Sequence, residues 1–267
     1  MICFPNAKIN LGLHITGKRS DGFHNIETIF YPVPLTDALE AVKANETSFK
    51  QTGLKIHSTA EDNLVMKAYA FLSKKYHVPP LEIHLKKAIP SGAGLGGGSA
   101  DAAFSLKLIN DLCNLSIPDR ELEKMAASIG ADCPFFIRNI PVIATGKGNI
   151  FKPVDISLES CLIYIVKPPV AVSTKEAYAM ITPQKPAFSL DRLASLPVSE
   201  WKNALVNDFE HRIIEKYPII GEIKDTLYAL GAEYASMSGS GSAVFGLFKT
   251  TVSPNFPNCF IWKGKLR

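Results

Sequence analysis

The sequence predicts an α+β fold, because alternating strands and amphipathic helices share one chain without the strict strand–helix order of a doubly wound sheet. Residues Ala7 to Ile15 alternate between apolar and polar, which predicts a strand with one face toward water. Leu81 to Lys86 alternates in the same way, whereas Ala100 to Leu112 carries apolar residues at helical spacing. These three segments indicate the fold class.

The remaining elements follow from the same patterns and from their flanking glycines and prolines. Further strands are predicted at Asn25–Val33, Cys161–Val166 and Ala243–Phe248, and helices at Asn63–Tyr76, Asp119–Ile129, Thr174–Met180, Trp201–Phe209 and Ile219–Leu230. A glycine-bearing turn at Thr145–Asn149 separates two stretches that differ in their pattern of predicted strands and helices. We therefore expect two domains, residues 1–150 and residues 151–267.

Composition and charge exclude several classes of protein. The chain has 267 residues, of which 46% are hydrophobic and 20% charged, as in an ordinary globular protein. Its five cysteines are scattered without a CxxC pair, which predicts a reducing compartment and neither a disulfide framework nor a zinc site. A signal-like N-terminus and long apolar runs are lacking, so we expect a cytoplasmic protein with no membrane partner. The net charge of +4 is dispersed, which predicts no nucleic-acid partner.

A glycine-rich run, Pro90-Ser91-Gly92-Ala93-Gly94-Leu95-Gly96-Gly97-Gly98-Ser99, lies between a predicted strand and a predicted helix. Glycines permit positive φ and let a ligand approach the backbone closely. Successive backbone N–H groups and the positive end of the helix dipole then favour an anion. Ser99 adds a hydroxyl for a phosphate oxygen or a bound Mg²⁺. The run therefore predicts a nucleotide-phosphate loop.

The same run satisfies G-x-G-x-x-G, so a dinucleotide-dependent oxidoreductase is one alternative. The first strand of such a unit is buried on both faces and continuously apolar, whereas the strand before this run alternates. The acidic residue about 20 positions on, Asp119, follows Pro118 at a helix start rather than ending a strand. No Gly-Lys-Ser/Thr closes the run, which excludes a Walker A loop. A small-molecule kinase is favoured.

Three ordered motifs resemble the signatures of the GHMP kinases. They are Ala7–Leu11, the glycine-rich run continued to Ala100, and Ser238–Ala243. Five segments are more specifically similar to members of that superfamily that phosphorylate 4-diphosphocytidyl-2-C-methyl-D-erythritol (CDP-methylerythritol). These segments are Pro5–Leu11, Arg19–His24, Glu61–Leu64, Gly130–Phe136 and Asn207–Glu210. The usual Gly-Tyr-His of these members reads Gly22-Phe23-His24 here, which keeps an aromatic face for cytosine stacking.

The resemblance implies the two-domain GHMP kinase fold, with ATP and substrate meeting in the interdomain cleft. It implies ATP as cosubstrate, Mg²⁺ as cofactor, and transfer to the 2-hydroxyl of CDP-methylerythritol in the non-mevalonate isoprenoid pathway. Asp132 is then the base that accepts the hydroxyl proton, and Lys8 its catalytic partner. A lysine beside a carboxylate keeps it ionised and steadies developing charge.

The other implied site residues fall into groups by ligand. Substrate contacts are expected from Asn10, Phe23, His24 and Tyr178. ATP contacts are expected from Asn63, Lys87, Pro90, Ser91, Gly92, Ala93, Gly94, Leu95, Gly96, Gly97, Gly98 and Ser99, with Ser99 also the metal ligand. Gly239, Ser240 and Gly241 of the C-terminal glycine motif are expected to form the wall between substrate and phosphates.

Two alternatives stay open beside the oxidoreductase. One is another GHMP enzyme, such as a homoserine or mevalonate-pathway kinase, which gives no reason for Gly22-Phe23-His24. The other is a nucleotide-binding protein without activity, which has no need of a base at Asp132. We further expect Asp101 to cap the helix after the loop, and the chain to be a monomer or a weak homodimer.

Overall fold

The computed structural model describes residues 1–55 and 62–266, so Glu61 of the Glu61–Leu64 segment lies outside the described residues. Its strands are β1 (Ile2–Cys3), β2 (Asn6–Lys18), β3 (His24–Thr36), β4 (Ala38–Lys43), β5 (Ser48–Gly53), β6 (Leu81–Lys87), β7 (Val142–Thr145), β8 (Ile150–Pro153), β9 (Leu162–Lys167), β10 (Tyr234–Met237), β11 (Val244–Phe248) and β12 (Phe260–Lys265). Its α-helices are α1 (Leu64–Lys75), α2 (Gly97–Leu112), α3 (Asp119–Ile129), α4 (Cys133–Arg138), α5 (Thr174–Ala179), α6 (Trp201–Ala204), α7 (Glu210–Lys216) and α8 (Pro218–Ala229). Short 3₁₀ turns cover Leu190–Ser195 and Val198–Glu200.

The chain divides into two compact units that are interleaved in sequence. Unit 1 comprises Met1–Ala7, Leu35–Ser91 and Gly96–Ile140, and unit 2 comprises Lys8–Pro34, Gly92–Leu95 and Pro141–Arg267. This division differs from a single boundary near residue 150. The physical reason is strand pairing, because β3 pairs with β7 more than a hundred positions later, with Thr28 opposite Ala144.

Unit 1 combines a four-stranded sheet with helices α1 to α4. The sheet has the order β1-β4-β6-β5, with β5 and β6 parallel and the other pairs antiparallel. The alternation of β6 matches its burial, because Leu81, Ile83 and Leu85 are buried. Asn63 caps α1 by accepting a hydrogen bond from the Val65 amide, as its type favours.

Unit 2 contains two four-stranded sheets and helices α5 to α8. One sheet has the order β2-β3-β7-β8, and the other has the order β10-β11-β9-β12 with every neighbouring pair antiparallel. A buried apolar cluster joins β2, β9 and β11 to α7 and α8, through residues such as Leu13, Val166, Ile213 and Val244. This cluster packs β2 against the other elements of unit 2.

Strand β2 departs from its predicted environment. Every residue from Asn6 to Ile15 is buried, including the polar Lys8, Asn10 and His14. The alternation correctly predicted a strand, but the expectation of a face toward water was wrong. The polar side is covered by protein groups that hydrogen-bond to it.

The predicted helix Trp201–Phe209 is also wrong in extent. Helix α6 ends at Ala204, and the next helix, α7, begins only at Glu210. Between them the backbone pairs with β2, because the Leu13 amide donates to Val206 and the Asp208 amide donates to Leu13. This long-range pairing overrides the local helical pattern.

The connection after the glycine-rich run disagrees with a dinucleotide-binding unit. Such a unit returns to a parallel strand after the helix that follows the loop. Here α2 is followed by the helices α3 and α4. Within residues 1–55 and 62–266, no helix has the length and apolar character needed to cross a membrane.

Candidate active site

The glycine-rich run adopts a backbone that favours glycine at three positions. The φ angles are +60° at Gly92, +73° at Gly94 and +72° at Gly96, all in the left-handed region. Gly96 is the N-cap of α2 and makes no side-chain cap hydrogen bond. The first amide groups of α2 therefore remain available to an anion, as a phosphate loop requires.

Unit 1 gathers three of the predicted site segments around the start of α2. A Cβ added at Gly98 would lie 3.8 Å from Leu64 Cδ1, which places the start of α1 beside the loop. A Cβ added at Gly130 would lie 4.0 Å from Ser99 Oγ and 3.0 Å from Cys133 Sγ. The N-cap residue Asn63, the Ser99 hydroxyl and the Gly130–Cys133 turn thus surround one helix N-terminus.

Asp132 occupies the N-cap position of α4, directly after the turn that ends α3. Its side chain makes no cap hydrogen bond, and the residue is partly exposed. The adjacent Cys133 is buried, and this burial raises the pKa of its thiol to about 12, although a hydrogen bond with Ser99 opposes the rise. Cys133 is therefore a neutral thiol near pH 7, which leaves Asp132 as the ionisable group of this turn.

Lys87 lies at the end of β6 with its ammonium buried between two carboxylates of unit 1. It hydrogen-bonds to Asp37 and, at 2.6 Å, to Asp101 Oδ2. Asp37 Oδ1 also accepts hydrogen bonds from the amides of Ala88 and Ile89, just before the glycine-rich run. The ion pair between Lys87 of β6 and Asp101 of α2 therefore connects the two elements that flank the glycine-rich run.

Asp101 is not a helix cap, contrary to our expectation. Helix α2 begins at Gly97, four residues earlier than Asp101, so this aspartate lies inside the helix. Burial raises the pKa of Asp101 to about 7, with Asp37 adding to the rise and Lys87 opposing it. A buried set of two carboxylates and one ammonium retains a proton more readily than exposed aspartates do.

Unit 2 holds the Lys8 ammonium in a polar network. Lys8 Nζ donates to Asn10 Oδ1 at 2.6 Å and to the Gly94 carbonyl at 3.0 Å. Asn10 Nδ2 in turn donates to Thr28 Oγ1 at 3.0 Å. Two residues apart on one strand, Lys8 and Asn10 point to the same face, as their spacing predicts.

The C-terminal glycine motif contacts the same network. Ser238 Oγ donates to the Gly94 carbonyl at 2.8 Å. A Cβ at Gly94 would lie only 1.8 Å from the Ser238 carbonyl oxygen, and one at Gly239 would lie 3.5 Å from Asn10 Oδ1. Unit 2 therefore brings Lys8, Asn10, Gly94 and Gly239 together.

The remaining two residues of that motif are held from another side. Ser240 Oγ lies 3.2 Å from Thr174 Oγ1, at the start of the helix that carries Tyr178. Gly241 has a φ of +92°, and a Cβ there would lie 2.7 Å from Met237 Sδ. The motif is thus a closely packed turn of unit 2.

The aromatic residues predicted for the substrate form two arrangements in unit 2. His24 and Tyr178 stack with ring centroids 4.9 Å apart and planes inclined by 22°. Phe23 is exposed, and the Lys147 ammonium lies 4.3 Å from its ring centroid. Lys147 also pairs with Asp21, and its hydrogen bond lowers the pKa of that carboxyl to about 2.

Several residues of these networks were missed by the sequence reasoning. Thr28, Asp37 and Lys147 were not singled out, because nothing local distinguishes them from ordinary strand or turn residues. Asn207, which bonds to the backbone of the C-terminal glycine motif, did carry a signal. It belongs to the Asn207–Glu210 segment that resembles the kinase family.

The side chains available as metal ligands limit how a metal ion could be held. Across the part of the chain that the structure describes, no group of three or more His, Cys, Asp or Glu side chains could hold a metal ion. Mg²⁺ keeps several waters and takes few protein ligands when it accompanies substrate phosphates. The Ser99 hydroxyl and the Asp132 carboxyl, which belong to neighbouring segments of unit 1, are compatible with such a role.

Comparison with known families matches both halves of the chain. The model of the GHMP kinases N terminal domain matches residues 63–139, and that of the GHMP kinases C terminal domain matches residues 194–255. The first match includes the glycine-rich run and Asp132, and the second includes the C-terminal glycine motif.

Individual relatives extend the similarity to the complete chain. A 4-diphosphocytidyl-2-C-methyl-D-erythritol kinase of Parabacteroides distasonis is 60% identical over 100% of both chains. One of Bacteroides fragilis is 57% identical over 93% of this chain and 92% of its own. A crystal structure of 4-(cytidine 5′-diphospho)-2C-methyl-D-erythritol kinase superposes with a TM-score of 0.79 at 30% identity, covering 92% of this chain and 90% of that one.

Proposed function

The chain belongs to the 4-diphosphocytidyl-2-C-methyl-D-erythritol kinases of the GHMP superfamily, and we propose that it phosphorylates the 2-hydroxyl of CDP-methylerythritol with ATP. The observation that carries this proposal is the 60% identity over the complete length of the Parabacteroides distasonis kinase. The geometry of the loop and of the Lys8 network supports a phosphotransferase. The substrate is a small molecule and ATP is the phosphoryl donor.

We assign the phosphates of ATP to the N-terminus of α2. Gly96 leaves the first amides of that helix uncapped, and the positive φ values of Gly92 and Gly94 turn the preceding backbone sharply. Backbone amides and the helix dipole stabilise phosphate charge without competing for a proton. We also assign Asn63 to the nucleotide, because the helix that it caps starts beside Gly98.

Lys87 supports the loop in this proposal rather than binding ATP through its side chain. Its ammonium is buried and engaged by Asp37 and Asp101. A side-chain contact with ATP would have to break that buried ion pair, which costs several kcal/mol, on the order of 3–5.

Asp132 is the proposed base and Lys8 the proposed electrostatic partner. Phosphoryl transfer depends mainly on positioning and charge stabilisation, and the nucleophilic hydroxyl must lose its proton to a nearby group. The partly exposed carboxyl of Asp132 is able to accept that proton. The buried ammonium of Lys8 acts strongly on charge near it, because little water screens it.

The cytidine end of the substrate is assigned to Phe23, His24 and Tyr178, with Asn10 as a further contact. The exposed ring of Phe23 offers an apolar face for a base, and the stacked His24–Tyr178 pair offers ring edges and nitrogen atoms. The Gly239–Gly241 turn is assigned to the wall beside the phosphates. Ser99 is the proposed protein ligand of Mg²⁺, which neutralises phosphate charge when bound.

A coupled assay tests the proposal. The purified protein with ATP, Mg²⁺ and CDP-methylerythritol is expected to release ADP, and ³¹P NMR should show a new phosphomonoester on the substrate. Mevalonate and homoserine are the controls, and neither should support ADP release. Turnover with mevalonate or homoserine but not with CDP-methylerythritol would refute the substrate assignment, and no turnover with any of the three would refute the kinase assignment.

A further inference from the structure

Asn207 uses its entire side-chain amide to hold the C-terminal glycine motif. Its Nδ2 donates to the Met237 carbonyl at 2.8 Å and to the Gly239 carbonyl at 2.9 Å. Its Oδ1 accepts from the Phe209 amide at 3.0 Å. Because the residue is only 2% exposed, water does not compete for these bonds. Among the common side chains of this size, only an amide supplies two donors and an acceptor at once.

The backbone around Asn207 is fixed to the strand that carries Lys8. The Leu13 amide of β2 donates to Val206, and the Asp208 amide donates back to Leu13, both at 2.9 Å. This pairing interrupts the helical pattern of the segment. The Asn207 amide is therefore anchored to β2 rather than to a mobile helix end.

The segment that Asn207 holds ends in the Lys8 network. Ser238 lies between the two carbonyls that accept from Asn207, and its Oγ donates to the Gly94 carbonyl. The same carbonyl accepts from Lys8 Nζ at 3.0 Å. Glu210 secures the segment further, because its Oε1 accepts from the Met237 amide at 2.6 Å. Hydrogen bonds and the Met237–Gly239 backbone thus connect Asn207 to the Lys8 ammonium.

We propose that Asn207 is a positioning residue, which sets Met237–Gly239 against Gly94 and thereby fixes Lys8 for phosphoryl transfer. This inference rests on the proposed function. Asn207 touches neither ATP nor substrate in this proposal, and it acts through Ser238 and Gly94. Its removal should therefore lower kcat more than it raises KM for either substrate.

The test is Asn207→Asp, which keeps the shape but turns one donor group into an oxygen that faces two carbonyl oxygens. At about pH 8 we expect kcat to fall about tenfold or more, with each KM changed less than about threefold. Burial beside carbonyl oxygens raises the pKa of the new carboxyl, and its protonated form donates one hydrogen bond. The ratio of mutant to wild-type kcat should therefore rise as the pH is lowered toward about 6. Far-UV circular dichroism at each pH gives the folded fraction, because a purely structural role predicts that kcat per folded molecule stays at the wild-type value.

Asp208→Asn is the matched control. Asp208 is the neighbouring buried side chain, but it bonds to the Ile15 amide and pairs with His14 instead of the glycine motif. We expect this variant to keep the wild-type kcat at both pH values. Hydrogen–deuterium exchange on the ligand-free proteins provides a readout that does not depend on activity. Asn207→Asp should speed exchange at the Met237 and Gly241 amides, and Asp208→Asn should not.

The outcomes separate this inference from the proposed function. A wild-type protein without turnover, but with faster exchange in Asn207→Asp, refutes the function and retains the structural link. An active wild type with unchanged kcat and unchanged exchange in Asn207→Asp overturns the inference. If Asn207→Asp does not fold, Asn207→Ser, which removes the repelling oxygen, is measured by the same kcat and exchange criteria.

Discussion

Lys8 carries its charge in a place where lysine is normally too costly to bury. Its side chain lies among apolar residues of β2 and over the ring of Phe30, with the ammonium 4.9 Å from the ring centroid. The hydrogen bonds to Asn10 and Gly94 offset the loss of hydration. A charge held this way is already oriented before substrate binds, which is the condition for effective electrostatic stabilisation.

Replacing the two proposed catalytic groups should abolish most turnover without unfolding the protein. We expect Asp132→Asn and Lys8→Met each to lower kcat by about 10²- to 10⁴-fold, the range typical of a lost acid–base or charge contribution. Far-UV circular dichroism and urea unfolding check the fold, and the coupled assay gives kcat. Lys263→Met serves as the control, because Lys263 is exposed on β12, which carries no predicted site residue. A kcat close to the wild-type value in either test variant would contradict its role.

Single residues differ in how far the sequence could predict them. The two-residue spacing of Lys8 and Asn10 predicted a shared strand face, and their 2.6 Å hydrogen bond confirms it. The buried state of Lys87 could not be foreseen, because its partner Asp37 lies fifty positions away. Pattern reasoning detects neighbours on one element, whereas a buried ion pair depends on which elements meet.

The glycine-rich run and α2 act as one element whose geometry leaves little freedom. Gly94 combines a positive φ with a carbonyl oxygen at the position where a Cβ would lie. Gly97 is similarly restricted, because a Cβ there would lie 2.8 Å from Ile89 Cγ2. Close backbone approach rather than flexibility therefore explains glycine at these positions.

Gly94→Ala should disturb the site more than the overall fold of the chain. The new methyl group would displace the Ser238 carbonyl, and the positive φ adds strain of about 1–2 kcal/mol. We expect a lower melting temperature and a kcat reduced at least about tenfold. Gly231→Ala is the control, because its φ is also positive but nothing lies within 4 Å of a Cβ there. Equal effects of the two substitutions on kcat would argue against the packing explanation.

The buried charges beneath the loop predict a pH-dependent stability. The pKa of Asp101 is raised to about 7, whereas an aspartate in the unfolded chain titrates near about 3.9. The folded state thus holds this proton more tightly, so its contribution is complete below about pH 4 and is lost as the pH rises through about 7. Urea unfolding should show that Asp101→Asn loses less free energy of unfolding than wild type between about pH 5 and pH 8.

The matched control for that experiment is Asp111→Asn on the same helix, where the side chain is exposed. This variant should retain the wild-type dependence of stability on pH. If the free energy of unfolding depends on pH in the same way for wild type and Asp101→Asn, Asp101 does not carry the extra proton.

Helices and strands were predicted well where the local sequence pattern determines them, and poorly where they depend on pairing with distant segments. Helices α1, α3 and α8 were predicted to within one or two residues, because their apolar spacing and end signals agree. Strand β10 was missed, and the helix predicted over 201–209 was wrong after Ala204. In the second case the pairing of Asn207 with β2 competes with helix formation and wins.

The two interleaved units together form one member of the kinase family. The family models match segments in both halves of the chain, and the Parabacteroides distasonis relative matches all of it. Strand β2 contributes Lys8 and β3 contributes His24 to unit 2, with Phe23 directly before β3, although both strands precede most of unit 1 in sequence. A cut near residue 150 would therefore divide the sheet β2-β3-β7-β8 at its last strand, because β8 begins at Ile150.

Ligand binding should stabilise the folded chain in a substrate-dependent way. A ligand that binds only the folded state at about 100 times its Kd adds about 2.7 kcal/mol to the free energy of unfolding. We expect CDP-methylerythritol to raise the melting temperature in differential scanning fluorimetry. Mevalonate and homoserine at equal concentration should leave it unchanged, and protection by mevalonate would overturn the substrate assignment.

The fold class and the kinase family could be derived from sequence, which also predicts the phosphate loop, because periodicity, glycine spacing and ordered motifs are properties of neighbouring residues. Tertiary structure alone decided that the polar side of β2 is buried, that Asp37 and Asp101 share Lys87, and that Asn207 binds the glycine motif. Each of these depends on residues brought together from distant parts of the chain. Buried polar groups must find partners wherever the fold provides them, and local sequence does not specify which partners those are.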